Sequence, residues 1–73
     1  MRSWPATKAT RLLAALQRIG WQIKRTSKKS GSHRTLYRPG GPDVVFAFHD
    51  NEEIGPRMLA RLAKVTGLTP EDL

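Results

Sequence analysis

The sequence predicts a single α+β domain in which two helices cover one face of a three-stranded antiparallel sheet. Two amphipathic segments lie toward the ends of the 73-residue chain, and three short β-prone segments lie between them. Only short, turn-rich stretches connect the β-prone segments, which favours an antiparallel meander and the order α-β-β-β-α. Because 73 residues are about half of a typical domain, we treat 1–73 as one domain with a small core.

The first helix is predicted over 7–19. Its apolar side chains recur one, four and seven residues after the first and therefore share one face of the helix: Leu12, Leu13, Leu16 and Ile19. Gly20 is well placed to end the helix with a positive φ. Either Ser3 or Thr7 can cap the start of the helix, with Pro5 in its first turn if the cap is Ser3.

Three strands are predicted over 21–27, 32–38 and 44–48. In the first of them, Trp21 and Ile23 alternate with polar residues and so point to one face, with Trp21 in the core. A Lys-Lys-Ser-Gly stretch after the first strand and a Pro-Gly-Gly-Pro-Asp stretch after the second are turn signals. The third strand reads Val-Val-Phe-Ala-Phe, which is apolar enough to form the buried centre of the sheet.

A second helix is predicted from Pro56, preceded by Gly55, to about residue 66. Its apolar face, which we expect in the core, consists of Met58, Leu59, Leu62 and Val65. Gly67 ends this helix, and the Thr-Pro-Glu-Asp segment at 69–72 is typical of the capped start of a terminal turn. With both helices on one side, the other face of the sheet stays open, and we expect a ligand to lie there.

Charge is distributed very unevenly along the chain. Residues 1–42 carry ten Lys or Arg and no Asp or Glu, whereas residues 43–73 carry three basic and six acidic residues. A basic half of this kind favours a polyanion, most often nucleic acid, over the alternative that the charge only aids solubility. The residues expected to contact phosphate are Lys24, Lys28, Lys29 and Arg34.

His33 is the residue best suited to chemistry on RNA, because it follows Gly31-Ser32 and lies close in sequence to these cations. A histidine nitrogen can take the proton of a 2′-hydroxyl or protonate the leaving oxygen, and nearby cations can stabilise the phosphoryl oxygens without a metal. The alternative is that His33 only contacts phosphate or takes no part. Ser32 is discounted as a nucleophile, because adjacent strand residues point to opposite faces.

Tyr37 lies four residues after His33 with Thr35 between them, so the three side chains share one face of the predicted strand. On the open face, Tyr37 can stack on a base of RNA. The alternative packs Tyr37 against the helices and turns Leu36 outward, which is less favourable for a leucine.

His49 follows the third predicted strand and precedes Asp50 and Glu53. It is open to three interpretations: a second acid or base, a metal ligand together with these carboxylates, or a residue whose hydrogen bond shapes the loop. We favour the last, because one histidine with loop carboxylates makes a poor metal site. The sequence therefore predicts no metal and no cofactor.

The chain contains no cysteine, which excludes a disulfide scaffold, a thiolate zinc site and a cysteine nucleophile. No apolar run approaches the ~20 residues of a membrane span. The N-terminal residues also lack the apolar stretch of a secretory signal. We therefore expect a cytoplasmic protein with no membrane association.

The order of these motifs resembles the HicA family of toxins over nearly the whole chain. The resemblance is carried by Gly20-Trp21, Gly31-Ser32-His33 with Tyr37 behind it, His49, Glu53-Ile54-Gly55-Pro56 before the second helix, and Gly67-Leu68. It implies a fold similar to the double-stranded-RNA-binding domain and metal-independent cleavage of mRNA with His33 as the catalytic residue. It also implies a HicB-type antitoxin that covers the active site. Ala47 departs from the family, which often has proline two residues before the second histidine.

Besides His33, the predicted site contains the RNA-binding residues Lys24, Lys28, Lys29, Ser32, Arg34 and Tyr37. Two other functions are compatible with the same sequence. One is a non-catalytic RNA-binding domain of the same fold, and the other is a protein-interaction module whose basic face docks an acidic partner.

Overall fold

The computed structural model describes residues 4–27 and 33–73. Ser3, Lys28, Lys29, Ser32 and the rest of the predicted 28–31 turn lie outside these residues. The elements, in chain order, are β1 (Thr7–Lys8), α1 (Ala9–Arg18), β2 (Gln22–Ser27), β3 (His33–Tyr37), β4 (Val44–Phe46), β5 (Glu53–Ile54), α2 (Pro56–Thr66) and a closing 3-10 helix (Pro70–Asp72). The predicted α-β-β-β-α order is confirmed, and the short pairing of β1 with β5 adds to it.

The main sheet has the order β2-β3-β4, and both pairings are antiparallel. β3 is therefore the central strand, and the prediction that the apolar third segment forms the buried centre is wrong. β4 contains only three residues, of which Phe46 is buried while Val45 is 62% exposed. In a three-strand meander the middle strand takes the centre, whatever the composition of its neighbours.

One core joins both helices to one face of the sheet. The largest side chains that are fully buried come from α1, the residue before β2, β3, β4 and α2: Leu12, Leu16, Trp21, Leu36, Phe46, Leu59 and Thr66. Full burial of a leucine or phenylalanine contributes about 1.5–3 kcal/mol. Trp21 is in the core as predicted, and its indole N–H donates to the carbonyl of Thr66 at 3.0 Å. This bond fixes the start of β2 against the end of α2.

The start of α1 differs from both predicted alternatives. The helix begins at Ala9, and the residue before it, Lys8, is extended and makes no side-chain cap. Thr7 is buried in β1 opposite Ile54, so it is not the cap. Instead the N–H of Ala9 donates to the carbonyl of Glu52 at 2.8 Å and that of Thr10 to the carbonyl of Asp50 at 3.3 Å. The loop after β4 thus satisfies N–H groups that a helix start leaves unpaired.

α2 begins at Pro56 after Gly55 and ends before Gly67, which has φ +79°, as the sequence predicts. Its buried side is rotated from the predicted one: Leu59 and Thr66 are buried, whereas Met58 is 39% exposed and Val65 is 49% exposed. The helix packs through positions 59, 62, 63 and 66, a regular i, i+3, i+4, i+7 stripe. The prediction that Met58 and Val65 are core residues is therefore wrong. The closing turn has the predicted cap, because Thr69 N–H donates to Asp72 Oδ2 at 2.8 Å.

Candidate active site

The face of the sheet opposite the helices carries the candidate site, and we call it the outer face. Strand register places Gln22 beside Tyr37, Arg25 beside Thr35 and Val45, and Ser27 beside His33. Residues directly opposite one another share a face, and successive strand residues alternate. Since Leu36 and Phe46 are buried against the helices, these rows lie on the outer face. The described side chains that define it are Gln22, Lys24, Arg25, His33, Thr35, Tyr37 and Val45.

A β-bulge at Lys24 sets which basic residues reach the outer face. The β2–β3 register shifts between Ile23 and Arg25, so Lys24 and Arg25 together lie opposite Thr35. Strict alternation from Trp21 and Ile23 would turn Arg25 toward the helices, and Arg25 is absent from the predicted RNA contacts. After Ile23 the strand contains only polar residues, so no apolar pattern in the sequence reveals the shift. Arg25 is thus an exposed cation of the outer face that sequence reasoning missed.

His33 begins β3 and is exposed on the outer face opposite Ser27. Its imidazole has no hydrogen-bond or ion-pair partner in the part of the chain that the structure describes. An exposed imidazole without such a partner can contact a substrate laid across the sheet.

Tyr37 lies on the same face as His33 and Thr35, as predicted. Its side chain is half-buried, and its hydroxyl donates to Gln22 Oε1 at 2.9 Å. The bond crosses from β3 to β2 and holds the ring along the face of the sheet. A ring fixed in this way offers a flat surface for a base.

Lys24 is paired with a carboxylate from the acidic half of the chain. Its Nζ lies 2.9 Å from Asp43 Oδ2, and both side chains are 48% exposed. An ion pair this exposed contributes only about 0–1 kcal/mol. The Lys24 ammonium can therefore exchange Asp43 for a phosphate at little energetic cost.

Arg34 lies on the other face of the sheet from His33. It belongs to the row of Thr26 and Phe46, and its side chain is only 18% exposed. Nη2 contacts Asp50 Oδ1 at 3.3 Å, and Nη1 is buried without a hydrogen-bond partner among residues 4–27 and 33–73. Although Arg34 adjoins His33 in sequence, alternation along β3 separates the two side chains. Arg34 therefore lies on the helix-facing side of the sheet and is not one of the exposed cations of the outer face.

His49 is anchored through its backbone. Its N–H donates to Glu52 Oε1 at 3.1 Å, and its carbonyl accepts from the N–H of Glu52 at 2.9 Å. The hydrogen bonds that shape this loop therefore belong to the main chain of His49. Its exposed imidazole has no partner among residues 4–27 and 33–73. Within those residues, no three His, Asp or Glu side chains gather as a metal site.

Neither α1 nor α2, the two α-helices of the described residues, has the length and apolar character that a membrane span requires.

The molecule is defined by its two-helix, three-strand α+β fold and by an open sheet face that carries an exposed histidine and cations. A family model described as the HicA toxin of bacterial toxin–antitoxin matches residues 9–68, and the chain belongs to this family.

A solved structure, titled "HicA3 and HicB3 toxin-antitoxin complex", contains a similar chain. The two chains share 28% sequence identity and superpose with a TM-score of 0.72. The match covers 86% of the present chain and 97% of the other. None of the curated protein sequences compared with this chain matches it.

Proposed function

We propose that this HicA-family toxin is a metal-independent endoribonuclease that cleaves mRNA on the outer face, with His33 as a general acid or base. The observation that carries the proposal is the exposed imidazole of His33 on the same face as Lys24 and Arg25. Imidazole can transfer protons to and from RNA hydroxyls, and fixed cations stabilise charge on the phosphoryl oxygens. The membership in a toxin family agrees with this activity.

RNA binding in this proposal depends on the outer face and the segment next to it. Lys24 and Arg25 contact phosphates, and Tyr37 stacks on a base. Lys28, Lys29 and Ser32, which precede His33 in sequence, are proposed as further contacts from their residue types alone. Arg34 is left out of the set, because its guanidinium lies beneath the sheet.

A HicB-type antitoxin is the proposed partner, and it inhibits by covering the outer face. The similar chain that was solved as a HicA3–HicB3 complex supports this choice. An inhibitor that places carboxylates against Lys24 and Arg25 would compete with RNA for the same cations. We place this activity in the cytoplasm, where mRNA is available.

The test of the catalytic assignment is His33→Ala, both expressed in a bacterial cell and as purified protein. We expect loss of growth arrest and a fall in RNA cleavage of at least about 100-fold, because general acid–base catalysis contributes 10²–10⁴. The free energy of unfolding should change by less than about 0.5 kcal/mol, since the side chain is exposed. Arg61→Ala, an exposed position on α2, is the matched control and should cleave like the wild type.

Three outcomes would contradict the proposal. A folded His33→Ala protein that cleaves RNA at the wild-type rate removes His33 from catalysis. Inhibition of the wild type by a chelator shows that a metal is required. Salt-dependent RNA binding without any cleavage identifies a non-catalytic RNA-binding domain instead.

A further inference from the structure

The side on which His49 lies follows from the end of the β3–β4 pairing and from the exposure of the residues after it. Arg34 lies opposite Phe46 in the last bridge of this antiparallel pair, and residues 47–49 continue the chain beyond β4 without strand pairing. Exposure alternates beyond β4, because Phe46 is buried, Ala47 exposed, Phe48 half-buried and His49 exposed. The rings of Phe46 and Phe48 are 5.0 Å apart, as expected for two residues that share the inner face.

His49 therefore lies on the same side of the molecule as His33. His33 lies one residue before Arg34 and His49 three residues after Phe46, so the two flank the last bridge of the strand pair. For comparison, diagonal neighbours within a paired ladder lie about 7–8 Å apart. A separation of this size leaves room for a phosphodiester group between two imidazoles. Both imidazoles are exposed and without a partner in the described ranges.

An ion pair on the opposite face ties the two histidine-bearing segments together. Arg34, the residue after His33, contacts Asp50, the residue after His49, at 3.3 Å. The turn itself is held by the reciprocal bonds of His49 with Glu52, and its carbonyls accept the first N–H groups of α1. The main chain at His49 is thus fixed relative to β3, while its side chain is left exposed.

Cleavage of RNA through its own 2′-hydroxyl requires two proton transfers. The 2′-oxygen loses its proton as its bond to phosphorus forms, and the 5′-oxygen gains a proton as its bond to phosphorus breaks. The products are a 2′,3′-cyclic phosphate and a 5′-hydroxyl. One imidazole cannot serve both oxygens at once, because they lie on opposite sides of the phosphorus. The reaction therefore needs a second proton-transfer group on the far side.

We propose that His49 is a second catalytic residue, which forms an acid–base pair with His33; this rests on the ribonuclease activity proposed above. One imidazole, unprotonated at the start, takes the 2′-hydroxyl proton. The other, protonated at the start, gives its proton to the leaving 5′-oxygen. After the step the two protonation states are exchanged, and proton exchange with water restores them.

The test compares two RNA oligonucleotides that differ at the cleaved bond. One is ordinary RNA, and the other has sulfur in place of the bridging 5′-oxygen, a leaving group that needs no proton. On ordinary RNA, His33→Ala and His49→Ala should each lower the cleavage rate by at least about 100-fold. On the sulfur substrate, the variant that lacks the acid should recover most of the wild-type rate, and the variant that lacks the base should not.

Asn51→Ala, an exposed change in the same turn, is the control and should behave like the wild type on both substrates. His49→Gln, which keeps a polar side chain of similar size, should fail on ordinary RNA as His49→Ala does. Wild-type cleavage of ordinary RNA by His49→Ala, or loss on both substrates by both histidine variants, would overturn the acid–base pair. Absence of any cleavage by the wild type would instead overturn the proposed function itself.

Discussion

Arg34 is a residue for which the sequence and the structure favour different roles. Its neighbour His33 and the basic composition around it favour a phosphate contact, yet the guanidinium lies beneath the sheet next to Asp50. A largely buried guanidinium contributes little net stability when it has one carboxylate partner and its Nη1 has no hydrogen-bond partner in the described part of the chain. The ion pair of Arg34 with Asp50 instead fixes the position of the turn after β4, because it joins that turn to β3.

We predict that the two partners of this ion pair differ in their effect on stability. Arg34→Met should leave the free energy of unfolding within about 1 kcal/mol of the wild type, because an apolar chain of similar length can replace a largely buried arginine whose carboxylate partner is 60% exposed. Asp50→Ala should lower it by about 1–3 kcal/mol, because the guanidinium loses its carboxylate. Urea denaturation of both variants measures the difference. Equal losses would mean that the pair itself stabilises the fold.

At the level of elements, the helices and strands were predictable because their signals are local. Apolar spacing, Gly20, Gly67 and the Gly55-Pro56 step are all visible in the sequence. Two features of strand pairing were not predictable. The pairing of β1 with β5 joins segments far apart in the chain, and the bulge at Lys24 occurs where β2 has no apolar residue to mark its register.

The bulge leads to a prediction about RNA binding by β2. In a His33→Ala background, Arg25→Met should lower the dependence of log affinity on log salt by roughly one, because one phosphate contact is lost. Arg34→Met should leave this slope unchanged, although the sequence alone favours Arg34. Titration of RNA at several salt concentrations measures both slopes. The reverse ranking would place Arg34, and not Arg25, on the RNA-binding surface.

The extent of α2 was predictable from the sequence, but the predicted buried face was rotated by one residue from the observed one. Its sequence offers two adjacent apolar stripes, and which one is buried depends on the packing against Trp21 through Thr66. The Trp21 indole bonds to the Thr66 carbonyl and thereby fixes the rotation of the helix. No local feature of the sequence predicts this contact between Trp21 and Thr66.

The adjacent residues Met58 and Leu59 test this rotation. Leu59→Ala should lower the free energy of unfolding by about 2–5 kcal/mol, because it leaves a cavity in the core. Met58→Ala removes a side chain from a residue that is 39% exposed and should cost under about 1 kcal/mol. Thermal or urea unfolding of the two variants provides the comparison. A larger loss for Met58→Ala would mean that the predicted stripe is the buried one.

Across the whole molecule, the basic and acidic halves of the sequence do not form separate basic and acidic sides. Lys24 contacts Asp43, Arg34 contacts Asp50, and the Arg18 guanidinium donates to the carbonyl of Asp72. α2 belongs to the acidic half, yet it carries three cations and no carboxylate: Arg57, Arg61 and Lys64. Charge in the folded protein therefore has to be assigned face by face, because net charge alone does not single out the outer face.

This arrangement allows a direct test of where a HicB-type antitoxin binds. In a His33→Ala background, Lys24→Glu with Arg25→Glu should lower the association rate constant at low salt by at least about tenfold, because cations near the docking site steer an acidic partner. Arg61→Glu with Lys64→Glu lowers the net charge by the same amount, but it changes α2, which packs on the other side of the sheet. The association rate of this control should change much less. Stopped-flow measurements at low and high salt separate the two pairs, since screening should bring their rates together as salt rises. If both pairs lower the association rate equally, net charge controls encounter and the outer face is not the docking site.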